Sequence, residues 1–237
     1  MNQPSASRPR ICVSLAQPTV TALLAAGRAA APEADLLEIR LDALTVPASS
    51  AVAELLAAGL GRPLLFTNRP TWEGGNFSGP EEERIAPLLA AIKSGAAYVD
   101  IEMRAAVHLR QQIIAAAKAG ASQVIVSWHD FSGTPAAEEL TAILRQQQAS
   151  GGHLGKIVTT ATAFPEVLRV LNLQSEAAEL NFPLIAFCMG EAGMISRLAT
   201  LYLGGRMTYA APAAGQTTAP GQLPAATLRE IERLLTP

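Results

Sequence analysis

The chain has 237 residues, of which 49% are hydrophobic and 16% are charged, so a large part of it can be buried in one thick core. Its 18 basic and 20 acidic residues give a net charge of -2 without a long run of either sign, which argues against nucleic acid or a membrane as partner. The first ten residues, MNQPSASRPR, are polar, and no apolar segment is long enough for a signal peptide or a membrane span. We therefore expect a cytoplasmic location.

Short apolar, β-branched runs alternate along the chain with longer Ala- and Leu-rich stretches of helical period, which is typical of repeated βα units with a parallel sheet. The predicted strands lie near 10–15, 35–41, 63–69, 97–103, 123–128, 156–161, 183–189 and 207–210. The predicted helices follow at 17–30, 48–59, 80–94, 104–119, 135–150, 164–180, 192–204 and 223–235. Eight such units favour a closed (β/α)8 TIM barrel over an open sheet. Because no linker divides the chain, we expect a single domain over 1–237.

The segment 211–222, APAAGQTTAPGQ, follows the eighth predicted strand and is rich in Gly, Pro, Ala and Thr without periodicity. Such a composition is typical of a disordered connector. In a barrel, however, the loops after the strands lie on the face where active sites are built, so a mobile lid fits this segment equally well. The sequence leaves both interpretations open.

Charged residues are concentrated near the carboxyl ends of the predicted strands. In the second strand Glu38, Arg40 and Asp42 alternate with Ile39 and Leu41, so a period of two places the three charges on one face, directed into the barrel. Such an arrangement is costly unless the charges are paired or used, so an ion-paired strand end and a functional site both remain possible. Asp100 and Glu102 alternate in the fourth strand in the same way. The third strand ends with Arg69, and Glu73 follows in the turn Pro-Thr-Trp-Glu-Gly-Gly.

Lys156 opens the apolar run Ile-Val-Thr-Thr and therefore lies on the sixth strand, where a lysine is unusual. Burial near other cations favours the neutral amine of a lysine, which can attack a ketone to form an imine. The alternative is a lysine at the strand edge that reaches solvent. His129 ends the fifth strand and could act there as a general acid and base, with Glu73 as the candidate to orient its ring. The other histidines, His108 and His153, are predicted to lie on the surface.

Arg197 lies in the segment Met-Gly-Glu-Ala-Gly-Met-Ile-Ser-Arg, which follows the seventh strand and enters a helix. The free backbone amides of the helix start and the guanidinium could together hold an anionic group. A phosphate and a carboxylate are both compatible with this pattern. No Walker-type or Rossmann-type glycine pattern favours a nucleotide.

Seven motifs together resemble the type I 3-dehydroquinate dehydratase family, in order along nearly the whole chain. They are EIRLD, FTNRPTWEGG, YVDIEM, SWHDF, the lysine of GKIVTT, GMISR and TTAPGQ. The resemblance implies a hydro-lyase of the shikimate pathway, in which Lys156 forms a Schiff base with the C3 ketone of 3-dehydroquinate. His129 would take the C2 proton and assist loss of the C1 hydroxyl by syn elimination, giving 3-dehydroshikimate. It also implies no metal or cofactor, and a homodimer.

The resemblance further implies the contacts of a small-molecule substrate. Arg197, Thr218 and Gln222 would hold its carboxylate, and Arg69 and Glu38 its ring hydroxyls. The remaining residues that the family implies are Ser14 and Arg40 as further lining positions and Glu73 beside the catalytic histidine. Two positions depart from the family pattern: Thr218 stands where the family more often has Ser, and Trp128 before the histidine is bulkier than expected.

Two other functions compete with this interpretation. A class I aldolase or transaldolase acting on sugar phosphates would also form an imine in a barrel, but it would need a phosphate site. A ligand-binding or regulatory barrel that has lost catalysis would need neither Lys156 nor His129. The sequence does not distinguish aromatic biosynthesis from quinate breakdown, because both use the same chemical step.

Overall fold

The computed structural model describes residues 10–235, so the predictions for the polar residues 1–9 and for the last two residues lie outside it. Eight strands alternate with eight helices along the chain. The strands are β1 (Arg10–Leu15), β2 (Leu36–Arg40), β3 (Leu64–Thr67), β4 (Tyr98–Glu102), β5 (Gln123–His129), β6 (Leu154–Thr160), β7 (Leu184–Met189) and β8 (Met207–Ala210). The helices are α1 (Val20–Ala30), α2 (Ala48–Ala57), α3 (Glu81–Lys93), α4 (Val107–Ala119), α5 (Ala137–Ala149), α6 (Phe164–Glu179), α7 (Met194–Tyr202) and α8 (Ala225–Leu235).

The strands form one parallel sheet in the order β7-β6-β5-β4-β3-β2-β1-β8. The two end strands of the sheet meet where the backbone N–H of Arg206, just before β8, donates to the carbonyl of Leu184 at the start of β7 (2.8 Å), so the barrel is nearly closed. Such a parallel barrel with a helix after every strand is a TIM barrel. The predicted (β/α)8 fold is therefore confirmed.

Local sequence explains where several helices begin. The side chain of Thr19 accepts a hydrogen bond from the backbone N–H of Ala22 (3.2 Å) and so caps the first turn of α1. Helix α3 follows Pro80 and carries Glu81, Glu82 and Glu83 in its first turn, where negative charge is favourable next to the free N–H groups.

The barrel interior is layered, because side chains two residues apart on a strand point to the same side. An apolar layer fills the half near the amino ends of the strands. Polar residues stand two positions further along the same strands and face the same interior. The pairs are Cys12 and Ser14, Leu36 and Glu38, Leu65 and Thr67, Tyr98 and Asp100, Ile125 and Ser127, and Leu154 and Lys156.

Several strand boundaries differ from the sequence-based prediction by one or two residues, and two of these differences affect predicted site residues. Strand β6 begins at Leu154, because Leu154 and Gly155 already pair with β5, so Lys156 is the third residue of the strand and not its first. Strand β2 ends at Arg40, and Asp42 lies in a 3-10 turn at Leu41–Ala43. The predicted alternation through Asp42 is therefore wrong, although Asp42 still accepts two hydrogen bonds from the Arg40 guanidinium (2.8 and 2.7 Å).

The segment 211–222 is fastened at both ends. A parallel bridge joins Ala211 to Pro224, and the backbone N–H of Ala211 donates to the carbonyl of Leu223 (2.9 Å). The residues between these anchors cross the face of the barrel at the carboxyl ends of the strands, so the segment covers the site described below. None of the helices that the structure describes is long and apolar enough to cross a membrane.

Candidate active site

A cavity of about 280 Å³ opens at the carboxyl ends of the strands and continues into the polar layer of the barrel. Every predicted site residue except Ser14 lines it. Ser14 lies deeper, where its hydroxyl donates to the Glu38 carboxylate, and it lines a neighbouring cavity together with Thr218. The predicted residues on the main cavity wall are Glu38, Arg40, Arg69, Glu73, His129, Lys156, Arg197, Thr218 and Gln222.

Lys156 projects into the cavity floor and is buried. Its Nζ lies 3.5 Å from Oδ2 of Asp100 and 4.0 Å from the centre of the Tyr209 ring. Asp100 is itself held by the hydroxyl of Ser127 (2.6 Å), which pairs with Lys156 across β5 and β6. The sequence leads us to expect other cations next to this lysine, but its contacts are a carboxylate and an aromatic face.

His129 lies above Lys156 at the mouth of the barrel. It pairs with Val158, which is two residues beyond Lys156 on β6, so the two catalytic candidates are offset by about 6–7 Å along the strands. This offset leaves room for a substrate between the two side chains. Phe131 stacks on the imidazole with ring centres 6.2 Å apart and an angle of 19° between the rings.

Glu73 reaches His129 from a tight turn after β3. A 3-10 turn at Thr71–Glu73 ends at Gly74, whose left-handed backbone (φ 74°) favours glycine. The next residue, Gly75, packs so closely that a Cβ there would lie 2.0 Å from the carbonyl oxygen of Arg69. The Trp-Glu-Gly-Gly sequence thus folds back on itself and directs the Glu73 carboxylate inward, where Oε2 lies 2.9 Å from Nδ1 of His129.

Burial shifts both members of this pair toward their uncharged forms. It raises the pKa of Glu73 to about 8, although the nearby guanidinium groups of Arg69 and Arg104 oppose the shift. Burial also lowers the pKa of His129 well below its ordinary value, and the positive charges of Arg69 and Lys156 add to this effect. The imidazole is therefore neutral at ordinary pH, as a proton acceptor must be.

Six charges of alternating sign lead from the surface of α3 to Lys156, and we call them the charge chain. Glu81 binds the Arg84 guanidinium (2.8 Å), and Arg84 binds Glu102. Arg69 then binds both Glu102 (2.5 Å) and Asp100 (2.9 Å). In order, the charge chain consists of Glu81, Arg84, Glu102, Arg69, Asp100 and Lys156.

Arg197 is the cation at the opposite side of the cavity, and it is 1% exposed. Its guanidinium donates to the carbonyl of Pro220 (2.8 Å) and lies over the Phe187 ring at 4.6 Å. Its Nε has no hydrogen-bond partner among residues 10–235, and no carboxylate there pairs with the group. Burial lowers its pKa to about 10. A buried cation without a counter-ion is a site for an anion.

Thr218 and Gln222 approach Arg197 from the loop after β8. The Thr218 backbone N–H donates to Oε1 of Gln222 (2.7 Å), and the Gln222 amide donates to the Thr218 hydroxyl (3.0 Å). These bonds make a compact turn beside the guanidinium. The methyl group that distinguishes Thr218 from Ser does not prevent this turn.

Glu38 and Arg40 form the wall nearest β2, and each is fixed by a neighbour. The Glu38 carboxylate accepts hydrogen bonds from Thr67 (2.7 Å) and from Ser14. Arg40 is held by Asp42. The arrangement gives the cavity one anionic and one cationic group on the same side, which suits a ligand that carries hydroxyl groups.

The structure also shows lining residues that the sequence reasoning did not single out. Tyr209 lies on β8 two residues after the inward-facing Met207, so the strand period of two predicts that its side chain also faces the barrel interior. Phe131, at 47% exposure, covers the imidazole from a loop and carries no such signal. The apolar residues Phe187 and Met189 on β7 also line the cavity.

Comparisons with known proteins identify the relatives of this chain. A family model described as "Type I 3-dehydroquinase" matches residues 11–236. A 3-dehydroquinate dehydratase of Desulfotalea psychrophila is 44% identical over 222 residues, covering 94% of this chain and 96% of that protein.

Solved structures give the same result. The crystal structure of 3-dehydroquinate dehydratase from Geobacillus kaustophilus superposes with a TM-score of 0.88 at 30% identity, over 97% of this chain and 91% of that one. A type I 3-dehydroquinate dehydratase from Clostridium difficile, solved with covalently modified comenic acid, has a TM-score of 0.88 at 26% identity, over 96% and 92%. The chain therefore belongs to the type I 3-dehydroquinase family of hydro-lyases.

Proposed function

We propose that the chain dehydrates 3-dehydroquinate to 3-dehydroshikimate through an imine on Lys156, with His129 as the acid–base group. The observation that carries this proposal is the placement of a buried lysine amine beneath the imidazole of His129, in one cavity with an arginine that lacks a counter-ion. The reaction is a step of the shikimate pathway, and it needs no metal or cofactor.

In the first half of the proposed reaction the amine of Lys156 attacks the C3 ketone, and the carbinolamine takes up a proton on its hydroxyl group and loses water to give a protonated imine. The final hydrolysis of the iminium returns this proton. Asp100, 3.5 Å from Nζ, and the Tyr209 ring face stabilise the positive charge of this intermediate. An iminium accepts electrons more readily than a ketone does, so the C2 proton becomes acidic enough for an imidazole.

In the second half, Nε2 of His129 takes the C2 proton while the electron pair moves to the iminium nitrogen and forms an enamine. The enamine then expels the C1 hydroxyl, which leaves as water with the proton from His129. Hydrolysis of the remaining iminium releases the product and restores the Lys156 amine. Glu73 keeps the proton of the imidazole on Nδ1, so that Nε2 faces the substrate.

The rest of the cavity binds and orients the substrate. Arg197, with Thr218 and Gln222, holds the carboxylate, because it is the buried cation that lacks a counter-ion. Glu38, Arg40 and Arg69 bind the ring hydroxyls. Ser14 acts by fixing the Glu38 carboxylate.

Borohydride trapping tests the imine directly. The chain contains three lysines, Lys93, Lys118 and Lys156, of which the first two are exposed. Incubation with 3-dehydroquinate and borohydride should add the mass of the reduced adduct at Lys156. Lys156→Met should show neither adduct nor turnover, whereas Lys118→Met should behave like the parent. An adduct on another lysine, or none, contradicts the mechanism, and so does loss of activity in a chelator.

The competing functions are separated by the same assay. An aldolase of this fold would form its adduct with a sugar phosphate, and a binding protein would bind 3-dehydroquinate without turnover. Both are disfavoured by the pairing of His129 with Glu73 above the lysine and by a single arginine in the anion site.

Membership of the family also supports three proposals about the protein as a whole. They are a single domain over residues 1–237, a cytoplasmic location and a homodimer. Light scattering during size-exclusion chromatography measures the oligomeric state. A mass near 24.8 kDa would show a monomer and contradict the dimer.

A further inference from the structure

Arg104 lies just outside the cavity, two residues after β4, and its side chain is 46% exposed. Two contacts nevertheless hold its guanidinium in place. It lies over the ring of Trp128 at 4.9 Å, and its NH1 donates to the carbonyl of His129 (3.2 Å). An arginine stacked on a tryptophan is pre-organised and does not need to be immobilised again during the reaction.

The guanidinium of Arg104 is directed at the unused side of Glu73. Oε2 of that carboxylate is bonded to His129, but Oε1 is buried and has no hydrogen-bond partner among the described residues. The NH1 group of Arg104 lies 3.8 Å from Oε1. A buried carboxylate with one free oxygen is costly unless a positive charge is near it.

We propose that Arg104 is a positioning residue of the acid–base pair, which binds the ionised form of the Glu73 carboxyl group at Oε1 and thereby keeps the His129 ring oriented with Nε2 free. This inference rests on the proposed roles of His129 and Glu73. Trp128 takes part as the surface on which the guanidinium lies. The bulky residue before the histidine, which departs from the family pattern, thus has a function in this chain.

The other charges that face the pair do not replace Arg104. Arg69 also lies 3.8 Å from Glu73, at Oε2, but its guanidinium is already shared by Asp100 and Glu102 in the charge chain. Among the described residues, Arg104 forms an ion pair with Glu73 alone. The remaining charged groups that act on the pair are Arg40, Asp100, Glu102 and Lys156, from β2, β4 and β6. Glu38, on β2, lines the same cavity.

The test is a pH titration of the free protein by nuclear magnetic resonance. The chain has three histidines, so the ring signals of His129 can be followed separately from those of His108 and His153. Arg104 lowers the pKa of both Glu73 and His129. We therefore expect Arg104→Met to move the titration midpoint seen at His129 upward by about 0.5 to 1 on the pH scale. Arg104→Lys, which keeps the charge, should recover most of this change.

Arg233→Met is the matched control, because it removes one positive charge from an exposed position on α8. Its midpoint should equal that of the parent. In turnover assays Arg104→Met should move the acid limb of kcat/KM upward and leave KM nearly unchanged. An unchanged midpoint in Arg104→Met, an equal change in Arg233→Met, or no recovery in Arg104→Lys would overturn the proposal. The titration needs no substrate, so its failure is distinct from failure of the borohydride test.

Discussion

Nδ1 of His129 lies 2.9 Å from Oε2 of Glu73, and both side chains are buried. Glu73 can hold the proton on Nδ1 only as a carboxylate, and burial raises the pKa of this group to about 8. The basic form of the pair therefore accumulates as the pH rises through that value. We expect kcat/KM, which reports the free enzyme, to rise with pH and to level off above about 8. A profile that is flat between about pH 6 and 9 would contradict this assignment.

Glu73→Gln should slow the reaction and stabilise the fold. An amide does not enforce the required tautomer, so kcat should fall by roughly 10² to 10⁴. In the parent, the folded state keeps the proton to about pH 8, whereas the unfolded carboxyl loses it near 4.5, so stability is lost as the pH rises between these values.

Glu73→Gln has no carboxyl group that must stay protonated or be buried as an anion, so it does not lose stability in this pH range. Its free energy of unfolding should therefore exceed that of the parent by roughly 1–2 kcal/mol above pH 8. Urea unfolding at pH 4 and pH 9 measures the difference, which should vanish at the lower pH. Equal stability at pH 9 would show that the buried carboxylate carries no such cost.

Arg197→Met should weaken substrate binding. The guanidinium is buried and lacks a carboxylate partner in the part of the chain described, so we expect the substrate to supply the negative charge. Loss of such a charge-assisted pair corresponds to about 1.5–3 kcal/mol, or a rise in KM of roughly 10- to 150-fold. Initial-rate kinetics measure it, with Arg145→Met on the exposed face of α5 as the control. A fall in kcat at constant KM would place Arg197 elsewhere in the mechanism.

Thr218 should act through its hydroxyl and not through its methyl group. The Gln222 amide donates to this hydroxyl (3.0 Å), and the Thr218 backbone N–H donates back (2.7 Å). Thr218→Ser keeps both bonds and should match the parent. Thr218→Ala keeps the backbone bond alone, and its KM should rise by roughly threefold to tenfold, as expected for one lost hydrogen bond. If the serine variant is as weak as the alanine variant, the methyl group matters more than the hydroxyl.

Gly75→Ala should destabilise the turn that presents Glu73. A Cβ at this position would lie 2.0 Å from the Arg69 carbonyl oxygen and 2.5 Å from the Arg69 Cβ, so the backbone must move. We expect a loss of roughly 1–3 kcal/mol in unfolding free energy together with reduced activity. Gly133→Ala is the matched control, because no atom lies within 4 Å of its added Cβ. Thermal unfolding of the two variants should therefore differ, and equal melting temperatures would contradict this packing.

Much of the barrel is readable from the sequence because local patterns determine it. The alternation of apolar runs and helical stretches predicts the eight units, and the period of two in β2 and β4 places Glu38, Asp100 and Glu102 inside. The exact residues at which strands begin and end are harder to predict. The strand containing Lys156 begins at Leu154, because Leu154 and Gly155 pair with β5. Glycine has a low strand propensity, so the sequence alone does not indicate this start.

Features that depend on contacts between distant segments are not readable in this way. Arg84 follows three glutamates on a helix and looks like part of a solvated face, yet it is fully buried against Glu102. Arg104 looks equally ordinary in the sequence, since the role that we propose for it depends on contacts with Trp128 and Glu73, which lie on other segments of the chain. Such roles arise from the closed geometry of the barrel.

The alternating signs of the charge chain restrict how this site can change. Each inner charge is neutralised by its neighbours, so replacement of one residue leaves two others uncompensated in a dry interior. Adjacent residues of opposite sign can be exchanged together at much lower cost. Substitutions among the six residues of the charge chain should therefore occur in neighbouring pairs. A redesign of the surroundings of Lys156 has to include residues as far away as Glu81 on the surface of α3.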